Sequence, residues 1–396
     1  MRHRGMREHN LALVLATVAA GGPTTRARLA ETTGLTKSTV SSLVAGLVEH
    51  RLLVQAPAAP DGERGRPGSG IGLHGDHVAA LGIEVAVGRT DAVVLDLRRR
   101  VRVRLGRLVG NRRPAAEVLH DVGTLAAEAV TLAAGQGLTV VGAALGLPAL
   151  LDRDARRVLF APNLGWRDVD LDPLLAELLP GAPFAIRVDN EANVAALGEL
   201  RTGSGRDRSS FVLVTGEVGI GAGLVLDSAL HPGAAGFAGE IGHLPVRGDG
   251  RRCACGARGC LETVAGREAV LRAAGRDGPG GFDDLLDDLR RREPAALSAV
   301  AGAGDALATA LGAVVKIVDP GTVILGGPLA ALGEPLATRV AAGLRRELAG
   351  LGRPVPDVLL SGLAADAALV GAALSVLDEV LADPARAMTG GATPPG

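Results

Sequence analysis

Aromatic side chains are nearly missing from this chain: five phenylalanines, one tryptophan and no tyrosine in 396 residues. The core must therefore be built from alanine, valine and leucine. Long hydrophobic runs are missing too. The apolar segments are broken by glycine or charge before about 18 residues, which argues against a secretory leader or a membrane span. The expectation is a cytoplasmic protein with no membrane partner. Nor is there an excess of one charge, with 42 Lys and Arg against 43 Asp and Glu. That balance hides an asymmetry, because residues 1–75 carry nine basic against five acidic residues and the remainder 33 against 38. A basic head on an acidic body points to nucleic-acid contact at one end. With 47% hydrophobic and 21% charged residues, the composition is that of a globular protein long enough for two or three domains.

Cysteine is scarce as well, and all three residues fall in one segment: Cys253-Ala-Cys255-Gly-Ala-Arg-Gly-Cys260-Leu-Glu262, preceded by Gly239-Glu240-Ile-Gly-His243. Three thiols within eight residues and a histidine ten positions before the first supply the four soft donors of a tetrahedral zinc site. Gly256 and Gly259 allow tight turning between the last two ligands. The alternative is three small buried thiols in a reducing compartment. A closed site of His243, Cys253, Cys255 and Cys260 leaves no position for substrate, so the expected Zn²⁺ is structural and shapes a loop flanked by Glu240 and Glu262.

At the N-terminus, Leu11, Val14, Leu15, Val18 and Ala19 lie on one face of a predicted helix. Thr25–Thr33 reads as a short second helix stopped by Gly34. Thr36 caps a third, whose stripe is Val40, Leu43, Val44, Leu47 and Val48. This third helix begins with Lys37, Ser38 and Thr39 and continues with Ser41 and Ser42, small hydrogen-bonding groups suited to a helix in the major groove. Leu52–Val54 and Ile71–Leu73 flank a Pro/Gly-rich stretch containing Arg64 and Arg66, read as a wing whose arginines reach DNA. A dimerisation bundle is the other reading of the three helices, and a flexible linker the other reading of the wing.

From Val78 the pattern becomes α/β. Val78–Val87, Asp91–Leu97 and Val101–Leu108 predict a strand meander, Ala115–Ala134 a helix, and Thr139–Gly146 a buried strand. Strand Phe184–Val188, a helix over Glu191–Leu200, and a second strand set from Ser210 through Leu226 follow. Periodicity alone yields α/β with two lobes divided near residue 200, and a last helix over Asp366–Leu381.

The metal loop, with Val188-Asp-Asn190-Glu191-Ala-Asn193 and Ala161-Pro-Asn163-Leu-Gly-Trp166, resembles the ROK family of bacterial sugar kinases and sugar-responsive repressors over almost the whole chain. The resemblance implies a winged helix-turn-helix over 1–75 and then a two-lobed actin-like, ribonuclease-H-like sugar-kinase fold. Its first lobe would be 76–200 joined by helix 366–384, its second lobe 201–365 with the zinc loop, and its tail 385–396 disordered. It also implies a sugar pocket of Asn163, Asn190, Glu191, Glu240, His243 and Glu262, with His243 both ligating metal and donating to a hydroxyl. Asn163 and Asn190 are also plausible turn or cap residues.

Family kinases carry an Asp base in Asn-Asp-Ala-Asn and an Asp-x-Gly-Gly-Thr-Lys phosphate hairpin. Here the matching runs are Asn190-Glu191-Ala192-Asn193 and Glu84-Val-Ala86-Val87-Gly88-Arg89, the latter with a β-branched residue where a left-handed backbone is expected. Glu217 adds negative charge to the second glycine loop, Thr215–Gly223. Glycine-rich turns of this kind, and Asp319–Gly327, serve nucleotide binding or simple strand-turn packing. The resulting expectation is no catalysis, and a sugar-responsive, xylose-repressor-like DNA-binding repressor acting on operator DNA as a homodimer or homotetramer. The alternatives are an ATP-dependent hexose kinase carrying a DNA-binding head, and a DNA-binding protein without a small ligand.

Overall fold

The structure, a computed structural model, describes residues 2–57, 69–152, 156–352 and 354–388. The head contains α1 (Arg2–Gly21), α2 (Arg26–Thr33) and α3 (Lys37–Glu49), then an antiparallel hairpin of β1 (Leu53–Pro57) and β2 (Ser69–Leu73). Leu11, Val14, Leu15 and Val18 are buried against Leu29, Val40, Leu43 and Leu47, as the spacing requires. The caps are those the side chains dictate. Thr25 Oγ1 accepts from Arg28 N, Gly34 ends α2 at φ 70°, and Thr36 Oγ1 accepts from Thr39 N. A bridge between Thr24 and Ile71 pins the hairpin to the helices and completes a winged helix.

The body repeats one topology twice. The first half runs β3 (Val78–Val85), β4 (Arg89–Asp96), β5 (Val101–Leu108), α4 (Ala115–Gly135) and β6 (Thr139–Leu147). It continues through a small antiparallel sheet of β7 (Leu150–Asp152), β8 (Arg157–Ala161) and β9 (Trp166–Asp170) to α5 (Asp172–Ala176), β10 (Ile186–Asn190) and α6 (Glu191–Thr202). Its main sheet has the order β10-β6-β3-β4-β5.

The second half runs β11 (Phe211–Thr215), β12 (Gly221–Leu226), β13 (Ala229–Leu230), α7 (Glu262–Ala265), α8 (Arg267–Ala273), α9 (Gly281–Arg290) and α10 (Pro294–Val318). Then come β14 (Thr322–Leu325), α11 (Gly327–Ala331), α12 (Gly333–Leu348), β15 (Asp357–Leu360), α13 (Ala367–Ala382) and α14 (Pro384–Met388). Its sheet order is β13-β12-β11-β14-β15. Each sheet is thus an antiparallel three-strand meander extended by two parallel strands on the side of its first strand. The inner parallel strands β6 and β14 are near-continuous apolar runs, as expected where both faces of a sheet are covered.

The helices that end the halves are exchanged. α6 follows the first sheet but packs on β12, whereas α13 follows the second sheet but packs on β3 and β6, and the two helices lie against each other. Their approach is close enough that a Cβ on Gly371 would sit 1.7 Å from the Val194 carbonyl oxygen. Both chain crossings between halves meet at one buried carboxylate: Glu199 accepts from Ser204 N, Ser361 Oγ and Leu363 N. The head is not a separate bead, since α1 packs on α13 and α14 and its core continues into that of α13 and α6.

One premise and one expectation change. Helix α10 is, by length and composition, apolar enough to cross a membrane, because Asp305 and its glycines do not lower its mean hydropathy far. It is a core helix instead: 67% of its most apolar window is buried, with Leu307 and Leu311 in a cluster with Leu336 and Val340 of α12. The tail expected to be disordered from residue 385 is helical through Met388, held by α1 and α13. Residues 389–396 lie outside the described residues.

Candidate functional site

Asn163, Asn190, Glu191, Glu240, His243 and Glu262 come from separate segments, yet all six line one cavity of about 300 Å³ between the halves. That is the low end of the ligand-pocket range and suits a small polar molecule. Asn163 sits in the turn between β8 and β9, and Asn190 and Glu191 where β10 becomes α6. Glu240 caps the 3₁₀ turn Ile241–His243, His243 ends it, and Glu262 opens α7.

Asn190 is also a cap. Its Oδ1 accepts from Ala192 N at 2.8 Å and Asn193 N at 3.3 Å while Nδ2 donates to Ala149 O at 3.0 Å. The cap reading thus holds for this residue, and its side chain fixes the start of α6 at the cavity wall. Gly219 faces Asn163 and Glu262, and a Cβ there would lie 2.9 Å from Glu262 Oε2. The apolar wall, including Phe160 and Phe237, was not foreseen from the sequence. Phe237 is 51% exposed, and an unusually exposed ring in an aromatic-poor chain is the signal that could have found it.

The one donor cluster among the described residues that could hold a metal is His243, Cys253, Cys255 and Cys260, whose ligand atoms all lie within 4.8 Å of one another. His243 Nδ1 is 3.5 Å from Cys253 Sγ, and Cys255 Sγ is 3.7 Å from Cys260 Sγ. Tetrahedral zinc with ordinary bond lengths requires edges of about 3.5 Å for N–S and ~3.8 Å for S–S, so the spacing fits. Burial and the hydrogen bond to Glu262 (2.7 Å) push the Cys253 thiol up, so its thiolate needs a cation beside it. Gly259, at φ 68°, passes so close to the Arg247 carbonyl oxygen that a Cβ would lie 1.6 Å from it, which accounts for this turn residue. The other ring nitrogen, His243 Nε2, faces Glu240 Oε2 at 3.7 Å. Burial raises the Glu240 carboxyl, His243 opposes that shift and Glu262 adds to it.

The far end of the cleft is different in kind. Arg89 Nη2 donates to Glu84 Oε1 (3.2 Å), Nη1 donates to Asp91 Oδ2 (2.7 Å), and Nε stands 3.8 Å from Glu217 Oε1. Burial, then Glu191, pushes Glu84 up to about 8; burial, then Glu217, pushes Glu191 up to about 7. The hairpin joining β3 to β4 turns through Val87 and Gly88 without a positive φ at either. The expected conflict between Val87 and a left-handed backbone is therefore not present. Val87 acts instead by lining the cavity.

On the head, Lys37, Ser38, Ser41 and Ser42 are exposed and Thr39 half-buried. Two of the hydroxyls are already engaged, with Thr36 Oγ1 3.0 Å from Ser38 Oγ and 2.8 Å from Thr39 Oγ1. Arg64 and Arg66 lie outside the described residues.

Residues 80–379 match the ROK family model, and residues 12–63 match that of the MarR family. The chain belongs to the ROK family. It is 28% identical over 325 residues to the xylose repressor of Bacillus subtilis, covering 81% of this chain and 82% of that protein. It is 32% identical over 257 residues to the glucokinase of Thermotoga maritima, covering 60% of this chain and 79% of that one. Among solved structures, a ROK family transcriptional regulator described as a homologue of the E. coli Mlc protein matches at TM-score 0.80 and 23% identity, over 97% of this chain and 99% of that one. A ROK glucokinase from Streptomyces griseus in complex with glucose and AMPPNP matches at TM-score 0.66 and 28% identity, over 75% of this chain and 98% of that one. The repressor and regulator matches span more of this ROK chain than the kinase matches do.

Proposed function

We propose that this protein is a sugar-responsive transcriptional repressor in which a winged helix-turn-helix reads operator DNA and a non-catalytic kinase-like body senses a small sugar. One observation carries the reading: the helix that starts in the polar cleft, α6, packs on α13, which packs on α1 of the head. Residues 1–75 are the reading head, 76–200 with 366–384 the first lobe, and 201–365 the second. Lys37, Ser38, Thr39 and Ser42 face bases in the major groove, and Arg64 and Arg66 add phosphate or minor-groove contacts.

In the cleft, a hydroxyl is both donor and acceptor, so Glu191, Glu240, Glu262, Asn163 and the free edge of Asn190 discriminate sugars by leaving wrong epimers unpaired. Zn²⁺ held by His243, Cys253, Cys255 and Cys260 would fix the His243 ring, so that Nε2 donates toward the pocket. The metal would neutralise thiolates and hold the loop, leaving sugar recognition to the side chains. Sugar binding between lobes would favour a closed arrangement and reposition α6, α13 and the head. Repression is relieved if sugar favours the DNA-free arrangement, by a coupling of ~1–3 kcal/mol. A homodimer or homotetramer in the cytoplasm would present paired heads to a two-fold operator.

The xylose repressor relatives make xylose the first sugar to try. The test is binding of the full-length protein to its own upstream DNA against random DNA, with and without a sugar panel. Salt-resistant preference that a sugar alters supports the reading; no preference and no sugar effect overturns it. The kinase relatives sustain a second reading, an ATP-dependent hexose kinase with a DNA-binding head. A coupled ATP assay showing turnover of ~1–100 per second would favour it. We expect none, and none from Glu191→Asp alone.

A further inference from the structure

Arg89 is shared by both walls of the cleft. Glu84 and Asp91, which bind two edges of its guanidinium, belong to β3 and β4, whereas Glu217, facing the third, belongs to the turn between β11 and β12 in the other half. Each edge of the cation is met by a carboxyl group, as a planar fork of donors allows. Besides Glu84, the carboxyl groups of Asp91 and Glu217 face Arg89, and that of Glu191 lies nearby. Glu84 is only 3% exposed, and its second oxygen, Oε2, has no hydrogen-bond partner among the described residues. An arriving phosphate would find the cation engaged and the carboxyl groups of Asp91 and Glu217 beside it.

We propose that Arg89 is an internal stay between the two halves, and that its surrounding carboxyl groups exclude phosphate-bearing ligands, so that the effector is an uncharged, unphosphorylated sugar. The last clause rests on the cleft being the effector pocket. The stay and the exclusion do not. By occupying its own cation, the protein closes this end of the cleft without a nucleotide and leaves the other end for a neutral ligand.

The test uses the full-length protein, titrated calorimetrically with xylose, glucose, glucose 6-phosphate and inorganic pyrophosphate, alongside Glu217→Gln and Glu217→Gln with Arg89→Gln. In the unaltered protein, glucose 6-phosphate should bind at least tenfold more weakly than the better neutral sugar, and pyrophosphate should not bind at millimolar concentration. Glu217→Gln should gain pyrophosphate binding through Arg89, and the double variant should lose it again. Hydrogen exchange over 215–221 should speed up in Glu217→Gln without ligand, because the stay is cut. Pyrophosphate or the phosphate ester binding the unaltered protein as well as the neutral sugar would overturn the exclusion. Unchanged exchange would overturn the stay. If no sugar binds at all, the effector reading fails, while the pyrophosphate and exchange results still decide the exclusion and the stay.

Discussion

The two ends of one cleft teach different things. At the metal-loop end, Glu240, His243, Glu262 and Asn163 converge on open space; the histidine–carboxylate pairs are loose at 3.6–3.7 Å, and the close contact is Cys253 Sγ donating to Glu262 Oε1 at 2.7 Å, within the metal loop. At the other end Arg89 meets Glu84 and Asp91 at 2.7–3.2 Å, with Glu84 Oε2 left without a hydrogen-bond partner among the described residues. Polar groups held apart by backbone constraints await a ligand, whereas polar groups that already meet have become structure. On the proposed function, recognition persists without chemistry, because binding needs convergent donors and acceptors while phosphoryl transfer also needs a cradle for charge.

The sharpest way to break this contrast is at the metal. Cys253→Ser should abolish a metal content of about one zinc per chain, read by elemental analysis. Through displaced His243 and Glu262 it should weaken sugar binding by 10-fold to about 100-fold or more. Loss of metal with unchanged sugar affinity would show that the open end does not depend on its loop.

Next in size, Glu240→Gln should cost roughly tenfold or more in sugar affinity, since a charge-assisted hydrogen bond contributes ~1.5–3 kcal/mol. Glu84→Gln, at the Arg89 end, should change the same titration less than about threefold. Equal losses would erase the distinction. Gly219→Ala, which places a methyl 2.9 Å from Glu262 Oε2, should weaken sugar binding several-fold while leaving metal content alone.

The smallest effect concerns pH. The Glu84 carboxyl is raised from 4.5 to about 8 by burial, then by Glu191. Between those values the folded state holds a proton that the unfolded chain has released, so this group makes stability fall as pH rises from about 4.5 to 8 and has no further effect above. Glu84→Gln should therefore raise the melting temperature more at pH 8.5 than at pH 5, by a few degrees at most for a chain of this size. A shift equal at both pH values would mean that the carboxyl is not held protonated.

Much of the fold was legible because its signals are local. Helix stripes, the caps at Thr25 and Thr36, Gly34, and the meander from Val78 to Leu108 all follow from neighbours within a few residues. Less legible was the small sheet β7–β9, whose strands are short and carry exposed charge on β9, so that no clear alternation marks them. Helix α10 passes a composition test for a membrane span, because burial in a core and burial in a bilayer select the same residues.

The sequence by itself determined which donors exist and how they cluster along the chain: three cysteines in eight residues admit few metal geometries, and the run from Asn190 to Asn193 carries a helix-capping signal. Tertiary structure alone decided that Asn163, Glu191 and Glu240, tens of residues apart, share one cavity. It also decided that Glu217 faces Arg89 across the cleft rather than merely adding charge to a loop, and that α13 joins the cleft helix to the head. Such contacts depend on how two sheets of the same topology exchange their last helices, and no periodicity within either half encodes that exchange, because the energy that fixes it comes from close packing between elements distant in sequence.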